Sequence, residues 1–432
     1  MSDTTIALIV GVAAAVLLFT ELIPIAVTGI GVVVVLVLAG ILSPAEAFAS
    51  FSNSTVILLA GTFVIGGAVF HTGLARRAST FIVRAAGGSE LGLTVGIMAA
   101  TAALSSVLSN TGTTAVLLPV VLSLATSSSV RQKQLLLALA FSANVGGTLT
   151  LIGTTPNLIA KAALDDAGLN SFSFWEFSKI GIPLTAFCML YMMTLGHRFV
   201  SSKPAAKSSS PVMQPSETGC QDSVAASQGK TVQRNTKMWI TAGLLLGVMA
   251  VMATGWVPLS IVAVAGALAV VLTNCLSYEE AIRSINWTTI FLVAGMLTLA
   301  TALEKTGTAM LIAGSVLDLV GNTVSPHLLV GLFFLLTWVL TQFMANTASA
   351  ALLIPIGLSV ARALGVDPRP ILIAIAVAAS CAFATPVATP PNTLVYSTGK
   401  LRFGDFLKVG LPLSILALVT CVVLIPVFWP FH

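Results

Sequence analysis

Apolar runs long enough to cross a bilayer, about 17–25 residues each, follow one another along this chain with few charges between them. That pattern leaves little choice of fold. A backbone inside hydrocarbon must satisfy its own polar groups, so only helices and closed barrels span it. A barrel would read as roughly ten-residue segments of alternating polarity, and these are absent. Charged residues make up 8% of the 432, against about 25% in a soluble domain, too few to cover a water-facing surface. The chain reads as an all-α polytopic membrane protein. Its first run, Ile6 to Phe19, follows a start with no basic residue and leads through Glu21 and Pro24 directly into the next run. It reads as a retained helix rather than a cleaved signal peptide.

The runs come in two matching sets. Displacing the chain by 234 positions puts Pro24 on Pro258, Glu46 on Glu280, Ala60-Gly61 on Ala294-Gly295 and Thr72-Gly73 on Thr306-Gly307. A shift of 236 puts Asn110-Thr111 on Asn346-Thr347 and Pro119 on Pro355, and a shift of 235 puts Pro156-Asn157 on Pro391-Asn392. The order is kept and the shift drifts by only two, so the halves are a duplication. Residues 1–200 form the first half and 238–432 the second. Between them, 201–237 is rich in Ser, Gln, Lys and Pro and reads as a flexible linker.

Spans are expected near 4–20, 24–42, 54–71 and 175–197, and near 238–254, 257–275, 287–303 and 406–430. Each half also holds a polar-tipped hairpin and a broken helix. The limb after Asn110 is expected to hold roughly 15 residues, about 22 Å, short of a hydrocarbon core of about 30 Å. A re-entrant hairpin fits that length, which leaves five crossings per half. Five is odd, so the halves are expected to be inverted in the membrane. With the N-terminus outside, 15 of the 20 basic residues fall inside, among them Arg76, Arg77, Arg84, Arg131, Lys133, Arg198, Lys203, Lys207, Lys230, Arg234, Lys237 and Arg283. This asymmetry predicts both termini outside and a cytoplasmic linker. It also accounts for the net charge of +5 without a nucleic-acid partner. The five Cys lack metal-type spacing and read as structural thiols.

Inverted repeats with discontinuous helices are the signature of secondary transporters. The tips read Ser109-Asn110-Thr111 and Ala345-Asn346-Thr347, and the breaks read "GGTLTLIGTTPN" and "ATPVATPPNTLVY". A half-helix starting at mid-membrane offers N–H groups to an anion, and one ending there offers carbonyls to Na⁺. No Lys, Arg or His occupies a tip or break, so neutral donors would hold the anion while cations balance its charge. Helix N-capping alone also accounts for Ser-Asn-Thr. Repetition at matching places, each ahead of a Pro-Asn break, favours binding, and the two roles are compatible.

"SNTGTTAVLLP", "ANTASAALLIP" and the two breaks resemble the hairpins and breaks of the divalent anion–sodium symporters, within the arsenite-transporter-like ion transporter superfamily. The resemblance covers nearly the whole chain. It implies a homodimer in the plasma (inner) membrane, with scaffold spans 4–71 and 238–303 and mobile transport parts 91–200 and 326–432 moving elevator fashion. It implies Na⁺-coupled symport of a small divalent anion, a C4 dicarboxylate favoured, with sulfate or another oxyanion as the alternative. Na⁺ is the co-transported ion, and no organic cofactor is expected. One sodium site would use Ser105, Ser109, Asn110 and the Gly153 carbonyl, and the other Thr341, the Met344 carbonyl, Asn346 and the Ala388 carbonyl. Substrate would meet Ser109, Asn110, Thr111, Thr154, Asn346, Thr347, Thr389 and Pro390. Ala345 departs from the pattern, as does Thr155-Pro156 where relatives often carry Pro-Pro, and ten spans stand where some relatives have eleven.

Competing readings are weaker. A dicarboxylate exchanger shares the motifs and differs only in coupling. A cation/proton antiporter usually needs an acid inside a span, and none is present. An intramembrane enzyme needs a dyad or metal cluster at depth; the chain has no HExxH, no paired intramembrane Asp and no His near a Cys. It is read as a transporter and not an enzyme.

Overall fold

Helices are what such a chain must form in lipid, and the computed structural model contains eighteen α-helices among its described residues. Those residues are 2–77, 90–127, 132–196, 231–308, 311 and 325–431. Arg84, Arg131, Arg198, Lys203, Lys207, Cys220, Lys230 and most of the expected linker lie outside them. The first half holds α1 (Asp3–Thr20), α2 (Ile25–Leu38), α3 (Pro44–Ala49), α4 (Ser54–His71), α5 (Glu90–Ser105), α6 (Asn110–Ser127), α7 (Gln132–Gly146), α8 (Thr155–Asp166) and α9 (Ser178–Tyr191). The second holds α10 (Thr231–Thr254), α11 (Leu259–Leu272), α12 (Tyr278–Ser284), α13 (Trp287–Lys305), α14 (Pro326–Leu340), α15 (Asn346–Leu364), α16 (Arg369–Ser380), α17 (Pro390–Tyr396) and α18 (Phe403–Phe428). Among the described residues seven helical segments are long and apolar enough to cross a membrane, which makes this a multi-pass membrane protein.

The duplication is visible in the local stop and start signals. Ser43 and Glu46 form a capping box at α3, and Ser277 and Glu280 form the same box at α12. Glu46 and Glu280 are therefore helix-start residues, and Glu46 also binds Lys305 at 2.8 Å. Left-handed residues fall at matching places: Glu21 and Gly255, Gly40 and Asn274, Gly73 and Gly307. Such residues end helices, because only Gly, Asn and a few others tolerate that conformation.

Several boundaries differ from the sequence reading. The spans expected at 24–42 and 257–275 are the 14-residue helices α2 and α11, about 21 Å long. Gly40 and Asn274, with φ of 73° and 55°, turn the chain out of the helix before the apolar run is finished. The limb after the first tip, α6, has 18 residues rather than 15, because the helix starts at Asn110 and takes in Asn110 and Thr111 of the tip. Helix α10 begins at Thr231, inside the stretch read as linker. Trp429, near the end of the last span, is 2% exposed and donates its ring N–H to Glu176 at 2.8 Å.

Packing separates the helices into two sets. In the first, α2 lies on α13 and α4 lies on α11. Small residues make both crossings: an added Cβ at Gly295 would sit 2.1 Å from the Gly29 carbonyl oxygen, and one at Gly61 would sit 2.8 Å from the backbone of Ala263. Close backbone approach through small residues is how membrane helices associate, since apolar burial adds little in lipid. In the second set, α7 packs on α5 and α6, α16 packs on α14 and α15, and α9 and α18 pack together. Among the described residues the largest pairings that join the sets are α4 with α8, and α13 with α15 and α8, and the end of α4 at Val69 and Phe70 also packs on Leu108 and Val116.

Polar contacts mark two rims. One gathers Glu46, Lys305, Glu304, Arg362, Asp165, Asp166 and the start of α4. The other gathers the end of α4 at His71, 3.5 Å from Glu280, with α12 leading into α13. Helix α4 and its counterpart α13 thus run in opposite directions between the rims.

Candidate functional site

Each tip is a helix end followed by a turn and a helix start. Helix α5 ends at Ser105 and α6 starts at Asn110. The Ser109 hydroxyl accepts from the Gly112 N–H at 3.2 Å, so Ser109 caps α6 as well as facing the site. Ala345 precedes α15 with no side-chain cap.

Behind the first tip the groups facing one another are almost all oxygens. The Ser105 hydroxyl lies 2.7 Å from both the Asn110 amide oxygen and the Ala143 carbonyl, and its single proton serves only one of them. The Asn110 amide oxygen also faces the Gly153 and Ala143 carbonyls, at 3.2 and 3.3 Å. Turning the amide over would make these contacts N–H donations. A cation among the four oxygens would satisfy them as they stand, and hydroxyl and carbonyl oxygens are the donors Na⁺ takes in broken-helix sites. The second tip repeats the arrangement 236 positions on: the Thr341 hydroxyl lies 2.9 Å from the Asn346 amide oxygen and 3.3 Å from the Ala379 carbonyl.

The Pro-Asn of each break has a structural reason. Unwinding a helix strands its carbonyls, and buried carbonyls need donors. The Asn157 amide donates to the Gly147 and Thr150 carbonyls at 3.2 and 2.9 Å. The Asn392 amide donates to those of Ala382 and Thr385, each at 2.9 Å. The break is then held open by a side chain of its own sequence. The last spans support it from behind: an added Cβ at Gly181 would meet the Thr148 carbonyl at 2.3 Å, and one at Gly410 the Phe383 carbonyl at 2.0 Å.

Both tips and both breaks meet at one cavity of about 1770 Å³. Of the expected residues, Ser109, Asn110, Thr111, Gly153, Thr154, Asn346, Thr347 and Pro390 line it. Ser105, Thr341, Met344, Ala388 and Thr389 do not; they are 0 to 3% exposed, behind the wall. For Ser105 and Thr341 that position agrees with the oxygen clusters. For Thr389, expected at the substrate, it is a difference. Its hydroxyl is taken up locally, accepting from the Asn392 N–H at 3.3 Å and the Asn144 amide at 3.1 Å. Its counterpart Thr154 makes no side-chain cap bond, which leaves that hydroxyl free for a ligand.

Asn144 escaped the sequence reading. It is fully buried, lines the cavity and also donates to the Asn392 amide oxygen at 3.2 Å. Both Asn392 N–H groups are already used, so Asn144 must present its own NH₂ there, and its amide oxygen is left without a partner. A polar residue within "FSANVGG" was the available signal. It has no like residue in the second half, where Ser380 stands at the matching place. The Ala143 and Ala379 carbonyls were missed as well, because backbone oxygens leave no mark in a sequence.

No formal charge reaches the tips. The cavity extends to the rim of His71 and Glu280, where Arg76, Lys237 and Arg283 add positive charge to its lining. Glu280 titrates below the usual carboxylate range, held there first by the Ser277 backbone N–H and then by the Ser277 hydroxyl, with His71 and Lys237 nearby. A mouth of mainly positive sign concentrates anions.

The profile of the citrate transporter family CitMHS matches residues 15–356 and 323–431. An uncharacterized transporter of Escherichia coli K12, YfbS, is 24% identical over 93% of this chain and 95% of its own length. The sodium-dependent dicarboxylate transporter SdcS of Staphylococcus saprophyticus is 27% identical over 94% of this chain and 82% of its own. SdcS of Staphylococcus aureus MRSA252 is 28% identical over 95% and 83%. The fold is similar to that of the Alcanivorax borkumensis YdaH transporter, with TM-score 0.63 and 17% identity over 90% of this chain and 87% of that one. It is equally similar to Neisseria gonorrhoeae MtrF, with TM-score 0.63 and 14% identity over 92% and 84%.

Proposed function

This chain belongs to the citrate transporter family CitMHS, and on that premise we propose that it is a Na⁺-coupled symporter of a C4 dicarboxylate. The observation that carries the reading is the pair of oxygen clusters behind the tips, Ser105–Asn110–Ala143–Gly153 and Thr341–Asn346–Ala379, with the cavity between them. Each Asn serves a cation with its amide oxygen while its helix start faces the anion. Ser109, Thr111, Thr154 and Thr347 supply neutral donors, and the cations supply the positive charge that the tips lack. The dicarboxylate class is supported by the named substrates of the two SdcS relatives.

In this reading the second set of helices, with tips and breaks, travels against the first as a rigid body. The rim of His71, Lys237 and Arg283 faces the cytoplasm and the chain is inward-open, with both termini outside and the protein a homodimer in the inner membrane. The opposed directions of α4 and α13 support inverted halves. Labelled succinate uptake into proteoliposomes tests the substrate and the coupling together. Uptake should require an inward Na⁺ gradient. Gradient-independent uptake would make the protein an exchanger. Sulfate uptake without succinate uptake would replace the substrate class, and Na⁺-driven proton movement with neither anion would replace symport with antiport.

A further inference from the structure

Hydrogen bonds and ion pairs run within one helix set or within the other, with one exception among the described residues. At the rim away from the cavity mouth, the Asn53 amide donates to Asp166, and the Ser54 and Thr55 hydroxyls approach Asp165 at 3.3 and 3.1 Å. Arg362 pairs there with Glu304 and also donates to the Ala167 carbonyl at 3.4 Å. The side chains of Asn53, Ser54 and Thr55 lie at the start of α4, and Glu304 lies at the end of α13, all in the first set. Asp165, Asp166 and Arg362 ride on α8 and α15, in the second.

The sequence at the end of α8 opposes its own helix. Asp165 and Asp166 occupy its last turn, with no basic residue in that turn, where the macrodipole disfavours negative charge. Lys161 offsets part of this from one turn back, 2.9 Å from Asp165. What the acids gain instead is the Asn53 amide and the Ser54 and Thr55 hydroxyls at the start of α4. A local rule broken in one helix and compensated in another marks a contact between bodies. The second half does not repeat the device: Lys400 and Leu401 stand where the first half has Asp165 and Asp166. The matching start of α13, at Asn286 and Thr289, lines the open cavity.

We propose that Asp165 and Asp166, docked on the start of α4 and reinforced by Arg362–Glu304, form a one-sided latch that makes the cavity-open state the resting state. Opening toward the other rim requires these contacts to part, and the second half carries no matching acids to dock in turn. The inference rests on the two-body motion of the proposed function and on nothing about the substrate.

The test uses the full chain in membrane vesicles of each orientation, with Cys220→Ser and a reporter Val116→Cys on the cavity wall. Of the described native cysteines, Cys188, Cys381 and Cys421 are buried away from the cavity, and Cys275, which lines it, is replaced by Ser as well. A membrane-impermeant maleimide reads the ratio of labelling from the two sides. In the unaltered latch, labelling comes from the side of the His71 rim. In Asp165→Ala/Asp166→Ala, and separately in Arg362→Ala, the ratio should shift toward the other side by about 5–30-fold, the effect of one or two lost hydrogen bonds to charged groups. Asp165→Asn/Asp166→Asn keeps acceptor oxygens and should hold the original ratio, which separates the latch from a general loss of fold. An unchanged ratio in both Ala variants, or the same shift in the Asn variant, overturns the proposal. Because no substrate enters the assay, failed succinate uptake with a shifted ratio sinks the dicarboxylate reading and leaves the latch standing.

Discussion

At the scale of single residues, the two tips are alike in the hydroxyl that stands beside each Asn and unlike in what caps a helix. Each Asn amide oxygen lies beside a hydroxyl, Ser105 or Thr341, that also faces a helix carbonyl, so we expect Asn110→Ala and Asn346→Ala each to abolish Na⁺-driven uptake while leaving the thermal unfolding midpoint close to wild type. Normal uptake by either variant would show that its cluster holds no coupled ion. Ala345 is the informative difference. Ser109 accepts the Gly112 N–H, whereas Ala345 gives α15 no cap. Ala345→Ser should therefore stabilise the protein by about 0.5–2 kcal/mol, the usual worth of a Ser cap over Ala. A lower unfolding midpoint would show that the hydroxyl is wrongly placed. The Asn-Thr pairs were legible because the chain states them twice. Asn144 was not, since its role depends on Thr389 and Asn392, more than 240 positions away. The buried placement of Thr389 was hidden for the same reason.

At the scale of elements, the sequence marks helix ends better than it marks helix lengths. The apolar run continues past Gly40 and past Asn274, so composition alone makes α2 and α11 into spans, although the backbone leaves the helix at those residues. The breaks were legible from Pro-Asn, but only the structure shows why Asn is needed: it satisfies two stranded carbonyls at each break. Crossings depend on which glycines face a neighbour. Gly295 and Gly31 both sit inside apolar helices, yet an added Cβ at Gly31 meets nothing within 4 Å, while one at Gly295 lies 2.1 Å from the Gly29 oxygen. Gly31→Ala should stabilise its helix by roughly 0.5–1 kcal/mol. Gly295→Ala should destabilise the protein by about 1–3 kcal/mol, since the crossing must spread to admit the methyl. Thermal unfolding of the two variants in one detergent checks the sign, and equal shifts would refute the close crossing of α2 and α13.

At the scale of the whole molecule, two helix sets meet through polar contacts on one rim and part around a cavity at the other. The charge pattern that closes the first rim also makes its closure sensitive to acid. Docked Asp166 titrates above the ordinary carboxyl value of 3.8, chiefly because burial disfavours its charge; the Asn53 hydrogen bond opposes this, and the carboxylates of Asp165 and Glu304 add to it. Lys161 on α8 and Arg362 on α15 hold those two acids in turn. Undocked, the same carboxyl meets water and returns toward its ordinary value. The docked state therefore keeps the proton to a higher pH than the released one. The stabilisation this gives is complete below the released-state value and is lost as pH rises through the docked value. Acidification toward the ordinary carboxyl value should move maleimide labelling of the Val116→Cys reporter further toward the His71 side. The Asp165→Asn/Asp166→Asn variant, which has no carboxyl to titrate there, should be flat over the same range. A wild type that is equally flat, or one that shifts toward the opposite side, would mean that docking carries no proton linkage at Asp166.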